Sequence, residues 1–128
     1  MDYQRKKHTK YILPRTVYHQ TLWHIRDYYR LLEIADNIID ANDRSNDGTP
    51  RGNGLSDKIC AAVIKREKFI KEADLIHNTL KTIPIEYRKG VWNNIQFLQA
   101  YPLDADRATY GRYKSEFVYK VAERLGLI

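Results

Sequence analysis

Residues 15–41 read RTVYHQTLWHIRDYYRLLEIADNIIDA, and their spacing sets the fold class. Tyr18, Leu22, Ile25, Tyr29, Leu32, Asp36 and Ile39 succeed one another at alternating steps of four and three. That is the heptad stripe of an amphipathic helix, broken only at Asp36. Val17, Thr21, Tyr28, Leu31, Ala35 and Ile38 widen the stripe into a face that needs a core. Pro14 suits the first turn, where its missing N–H costs nothing. The spacing therefore predicts one helix over 15–41, about 40 Å long at a rise of 1.5 Å per residue.

Outward from that stretch, residues 42–57 (NDRSNDGTPRGNGLSD) hold three glycines, Pro50 and several Asn, Asp and Ser residues, which predicts a loop. Ser56 or Asp57 can cap a second helix. In it Ile59, Val63, Arg66, Ile70, Ala73, His77 and Leu80 repeat the alternation, flanked by Ala62, Phe69 and Ile76. Two long helices with matching heptads and a flexible connector predict an antiparallel hairpin over 14–81. Thr82 is the expected cap of a third helix, with Pro84 in its first turn and Glu86 favourable to its dipole. Tyr87, Val91, Trp92, Ile95 and Leu98 give it an apolar face ending near Gln99. Pro102 breaks the chain, and Asp104 or Asp106 caps a fourth helix. Its stripe is Tyr110, Tyr113, Phe117, Val121 and Leu125, and Gly126 stops it. The expected fold is all-α: a long antiparallel helical hairpin followed by a helix-turn-helix-like pair of C-terminal helices.

Composition bounds the function. The 128 residues suit one domain, or a small domain with an appendage, and 43% apolar with 30% charged residues is a globular balance. No window approaches 18 consecutive apolar residues, so no membrane span is expected, and the N-terminus lacks the apolar region of a secretory signal. The single cysteine, Cys60, can form neither an internal disulfide nor a cysteine-based zinc site. A soluble protein of a reducing compartment is the expectation. The net charge of +6 is uneven: residues 1–15 carry +4, residues 16–81 are neutral and residues 82–128 carry +2. A basic arm over 1–13 and a basic C-terminal third suit a polyanion, while a solubilising tail accounts for the arm equally well.

An enzyme is hard to build from these parts. There is no phosphate-binding GxxxxGK[ST], no GxGxxG opening a helix and no HExxH, so no catalytic residue, metal or cofactor is expected. His19 and His24 lie five apart, which does not align two ligands on one helical face. Asp36 and Asp40 share a face and can pair for acid–base work or bind a cation, though a register mark explains Asp36 as well. The DGTPRGNG loop (47–54) can offer backbone N–H groups to a phosphate, but reads foremost as a connector.

The fourth helix is the stronger candidate. Its outer side shows Thr109, Arg112, Ser115 and Tyr119 at helical spacing, with Arg107 at its start and Lys114 and Lys120 flanking. Arg, Ser and Thr can reach base edges in a major groove, while Lys and Tyr bind phosphate and sugar. Glu116 and Glu123 oppose this, since acids repel phosphate, and fit an ordinary amphipathic helix.

The stretch IPIEYRKGVWNNI (83–95) with YPLDADRATYGRYKSEFVYKVAERLGL (101–127) resembles small phage-encoded transcriptional activators of Gram-positive bacteria, the RinA/ArpU-like group. Those in turn look like region 4 of sigma factors. Ile83, Pro84, Glu86, Tyr87 and Arg88 match the group's first helix; Thr109 to Arg112 and Val121 to Gly126 match its second. Upstream, LPRTVYHQTLWHIRDYYR (13–30) and DGTPRGNG resemble the N-terminal half of the same proteins. The sequence departs in one place: sigma-like units carry a further short helix where only residues 100–106 lie here. The resemblance implies a DNA-binding unit over 82–128, with Thr109, Arg112 and Ser115 as base readers. Arg88, Lys89, Arg107, Lys114, Tyr119 and Lys120 are the candidates for backbone contacts. It also implies transcription regulation in the cytoplasm of a bacterial host, with duplex DNA as partner and a homodimer or RNA polymerase adding specificity. The rival expectation is a protein–protein module, a phage inhibitor or packaging adaptor, acting through the hairpin, whose seam Asp36, Arg66 and His77 weaken. RNA binding ranks last, because the aromatic platforms of common single-strand modules are missing.

Overall fold

A computed structural model describes residues 3–45 and 53–128, with side chains over 3–38 and 57–128. The described residues are helical and contain no strand: α1 (Arg15–Arg26), α2 (Tyr28–Ser45), α3 (Asn53–Leu80), α4 (Ile85–Phe97) and α5 (Arg107–Arg124). The all-α expectation is met at that level. The single helix expected over 15–41 is instead divided at Asp27. Two bonds join α1 to α4 at this break: Gln96 Nε2 donates to the Ile25 carbonyl at 2.6 Å, and Arg26 Nε donates to the Ile95 carbonyl at 2.8 Å. Capturing the Ile25 carbonyl engages an acceptor that the next helical turn would use. The loop expected over 42–57 is shorter than its composition suggested. Residues 42–45 continue α2 and residues 53–57 open α3, so neither Ser56 nor Asp57 is its cap. The rest of that loop, with Pro50 and most of DGTPRGNG, lies outside the described residues.

Two compact units result: residues up to Asp27 together with Leu75–Ile128, and Tyr28–Asp74. The grouping differs from a division between a hairpin over 14–81 and a unit over 82–128, because α1 and the last turn of α3 belong with α4 and α5. In the first unit α1, α4 and α5 pack against one another. Leu22, Ile25, Ile76, Ile83, Val91, Ile95, Phe117 and Val121 are fully buried there. The buried hydroxyls of Thr21 and Thr79 are satisfied within their own helices, by the Val17 and Leu75 carbonyls. In the second unit Leu31, Ala35 and Ala73 are buried, but the expected seam residues Ile59 and Val63 are 38% and 46% exposed, and Ile64 is 68% exposed.

Helix ends depart in detail. Thr82 does not cap α4; its hydroxyl donates to the Thr79 carbonyl, and Pro84 itself stands at the N-cap. Leu98, expected on the buried face of α4, ends it in a left-handed conformation and is 65% exposed. Asp106 stands at the N-cap of α5 without a side-chain bond to the first turn. Gly126 stops α5 as expected. Its φ of +76° lets its N–H reach the Glu123 carbonyl and the Leu127 N–H reach the Ala122 carbonyl, a Schellman ending.

An aromatic cluster holds α4, the connector and α5 together. Tyr110 is fully buried, stacked on Tyr101 at 5.1 Å, edge-on to Tyr87 at 5.3 Å, and bonded through its hydroxyl to Asp104 Oδ1 at 2.6 Å. Tyr87 also stacks on Tyr113 at 4.7 Å. The connector over 98–106 contains a turn and no helix, so the extra helix of sigma-like units does not occur in it. It can lie close to α4 because residue 90 is glycine: a Cβ there would stand 2.8 Å from Pro102 Cδ.

Candidate nucleic-acid interface

The arm is not loose along its described length. Gln4 uses its amide to pair both backbone groups of Leu13, and Tyr18 donates its hydroxyl to the Tyr3 carbonyl at 2.9 Å. Tyr11 packs its ring on Tyr119 of α5 at 5.5 Å and donates its hydroxyl to Glu116 Oε1 at 3.2 Å. These contacts divide the α5 surface into two halves. Toward its carboxyl end the outer side is occupied: Tyr119 lies under Tyr11, and Lys120 Nζ is shared by Glu116 at 3.1 Å and Thr82 at 3.4 Å. Toward its amino end Arg107 and Arg112 are exposed, and Arg112 donates to the Thr109 hydroxyl at 3.3 Å.

The expected base readers are not all on one face. Thr109 and Arg112 stand together, but Ser115 is only 5% exposed and donates to the Gly111 carbonyl one turn back, at 3.0 Å. It lies on the packed side because α5 packs against both α1 and α4 and buries a broad arc. Lys114, expected at phosphate, is likewise on that side, 9% exposed, with Nζ on Asn94 Oδ1 at 2.8 Å. Arg88 is spent on structure: its Nε and one terminal nitrogen donate to the Ile83 and Lys81 carbonyls at 2.9 and 2.8 Å, bracing the turn between α3 and α4. Lys89 is exposed.

The structure adds what spacing alone missed. Arg5 crosses from the arm to α5, where its Cδ and a terminal nitrogen lie 3.5 and 3.6 Å from the place of a Cβ on Gly111. It lines a cavity of about 790 Å³ with Tyr101, Arg107, Lys114 and Asn94. Burial pushes the Tyr101 hydroxyl up, against an opposing pull from Arg107 and Arg5, so both guanidinium groups act on one phenol. Only the arm's excess of charge hinted at this; nothing in the spacing singled out Arg5. No group of three or more His, Cys, Asp or Glu side chains able to hold a metal occurs among the described residues. No described helix is long and apolar enough to cross a membrane. The chain matches no protein-family model, no curated protein and no solved structure.

Proposed function

We propose that the chain is a phage-type transcriptional regulator that binds duplex DNA with the amino-terminal half of α5, braced by α4 as a helix-turn-helix-like pair. The observation that carries this reading is the exposed Arg112, bonded to the half-buried Thr109, with the exposed Arg107 at the start of the same helix, on a stretch where no ion pair engages either arginine among the described residues. In helix-turn-helix recognition the amino-terminal residues of the second helix reach the bases. A guanidinium without a carboxylate partner is suited to the acceptor pair on guanine. Lys89 and the exposed arm lysines Lys6 and Lys7 would add backbone contacts. With Ser115 withdrawn, only two base readers remain, so specificity calls for a second copy or an RNA polymerase partner in the host cytoplasm.

The test is fluorescence anisotropy of a labelled random-sequence duplex, titrated from about 50 to 200 mM salt. Affinity falling steeply with salt supports the reading, and Arg112→Ala should then weaken a selected site by roughly 1–3 kcal/mol. No binding at the lowest salt sinks it. A second reading, a protein–protein module acting through a hairpin of α2 and α3, is favoured by the exposed Ile59, Val63 and Ile64 of α3. Light scattering on a size-exclusion column separates the two. An oligomer that persists at high salt and is lost in Val63→Lys supports the second.

A further inference from the structure

The cavity beside Arg5 has properties that duplex recognition does not use. It is half open and lies between the arm and α5, and neither Thr109 nor Arg112 lines it. Two guanidinium groups and an ammonium group line it, and none of the described residues around it is a carboxylate. Arg5 Nε is buried with no hydrogen-bond partner, so the guanidinium is not tied to another group through that donor. Arg107, Ala108, Gly111, Lys114 and Ser115 form one wall along the flank of α5. The remaining walls are aromatic and amide: Tyr3, Tyr18 and Tyr101, with Gln4 and Asn94. A volume of about 790 Å³ exceeds what a lone inorganic anion needs and falls within the range of small-molecule sites.

We propose that this cavity is a binding site for a nucleotide-sized phosphate monoester. Its phosphate sits between Arg5, Arg107 and Lys114, and its planar ring lies among the tyrosines and amides. The arginine fork gives paired bonds to phosphate oxygens, and the aromatic walls accept a flat ring, so the two ends of one ligand match the two kinds of wall. A backbone phosphodiester of DNA is the other source of the same chemistry, but it carries one charge and no free ring to bury. The proposal does not rest on the duplex-binding reading, which turns on Thr109 and Arg112; Arg107 alone is common to both.

The experiment is thermal unfolding and calorimetric titration of the full chain with the four common ribonucleoside 5′-monophosphates, inorganic phosphate, the unphosphorylated nucleosides, and a duplex lacking terminal phosphates. The expected result is a saturable rise in Tm with at least one nucleotide. That nucleotide should bind about tenfold or more weakly to Arg107→Gln, whose exposed side chain can be changed without disturbing the core. Arg5→Gln should lose the effect as well, and Arg112→Ala should keep it. Absence of stabilisation by every nucleotide overturns the proposal. So does a rise equalled by inorganic phosphate and unchanged in Arg107→Gln, and so does displacement of the nucleotide by the unphosphorylated duplex. Duplex binding that fails while nucleotide binding persists removes only the regulator reading.

Discussion

Gly90 offers the sharpest test of the packing, because local propensity and tertiary structure predict opposite signs. It lies inside α4, where alanine is favoured over glycine by about 1 kcal/mol in an exposed helix. Here a Cβ would stand 2.5 Å from Tyr110 Cε1, 3.2 Å from Tyr110 Cδ1 and 2.8 Å from Pro102 Cδ. Carbon atoms prefer separations of roughly 3.5–4.0 Å, so the overlap approaches an ångström. The tyrosine cannot swing aside cheaply, since it is fully buried, stacked on Tyr101, edge-on to Tyr87 and bonded to Asp104. Overpacking of this kind costs about 1–3 kcal/mol, occasionally more, and outweighs the propensity gain at all but the lowest end. Gly90→Ala should therefore lose up to about 2 kcal/mol, a few degrees in Tm. Gly111→Ala is the matched control. Its nearest neighbours are atoms of the flexible Arg5 side chain at 3.5 and 3.6 Å, so it should be neutral or gain up to about 1 kcal/mol. Urea unfolding followed by tryptophan fluorescence reads the relevant unit, because Trp23 and Trp92 both lie in it. A Gly90→Ala protein as stable as its parent would refute the close approach of the connector and Tyr110 to α4.

The same geometry sets three further outcomes. The Tyr110 hydroxyl is pushed up to about 12, by its bond to Asp104 first and by burial second. A raised phenol favours the neutral form in the fold, so its stabilisation is whole below pH 10 and is lost as pH rises through 12; Tyr110→Phe should be less stable at neutral pH and flatter across that alkaline window in Tm-against-pH scans. Parallel slopes for the two proteins would dismiss the Tyr110–Asp104 bond. Gly126→Ala meets nothing within 4 Å, so its cost is conformational alone, about 1–2 kcal/mol for a side chain at φ +76°; an unmoved urea midpoint would count against the Schellman ending. Arg88→Ala should cost about 2 kcal/mol, because two carbonyls lose a charged donor, yet leave the salt slope of duplex binding unchanged when the protein is kept folded. A slope reduced by one phosphate's worth would return Arg88 to the interface.

Helix existence and type were legible from spacing, since a helix repeats every 3.6 residues whatever it packs against. The stripe through Tyr18, Leu22 and Ile25 is buried as its period requires, and Gly126 stops α5 by a local backbone preference. The break at Asp27 was not legible, and the bonds that accompany it involve residues far along the chain, Ile95 and Gln96. The candidate site divides in the same way. Arg112 is exposed as the helical wheel has it and Thr109 half-buried beside it, whereas Ser115, on the same side of the wheel, faces inward. Spacing gives relative angles round a helix but not how wide an arc its neighbours cover, and α5 is packed by both α1 and α4. Arg5 makes the point from the other side. In the sequence it is one of several arm cations, and nothing local distinguishes it from Lys6 or Lys7. The amide of Gln4 ties the arm to Leu13, and that tether, together with the bare surface of Gly111, places Arg5 in a cavity while Lys6 and Lys7 stay in solvent. Periodicity, helix stops and charge balance are local properties, written into the order of residues. Which cations converge, and which polar side chains are withdrawn from the surface, depends on contacts between distant segments, and those exist only once the helices have packed.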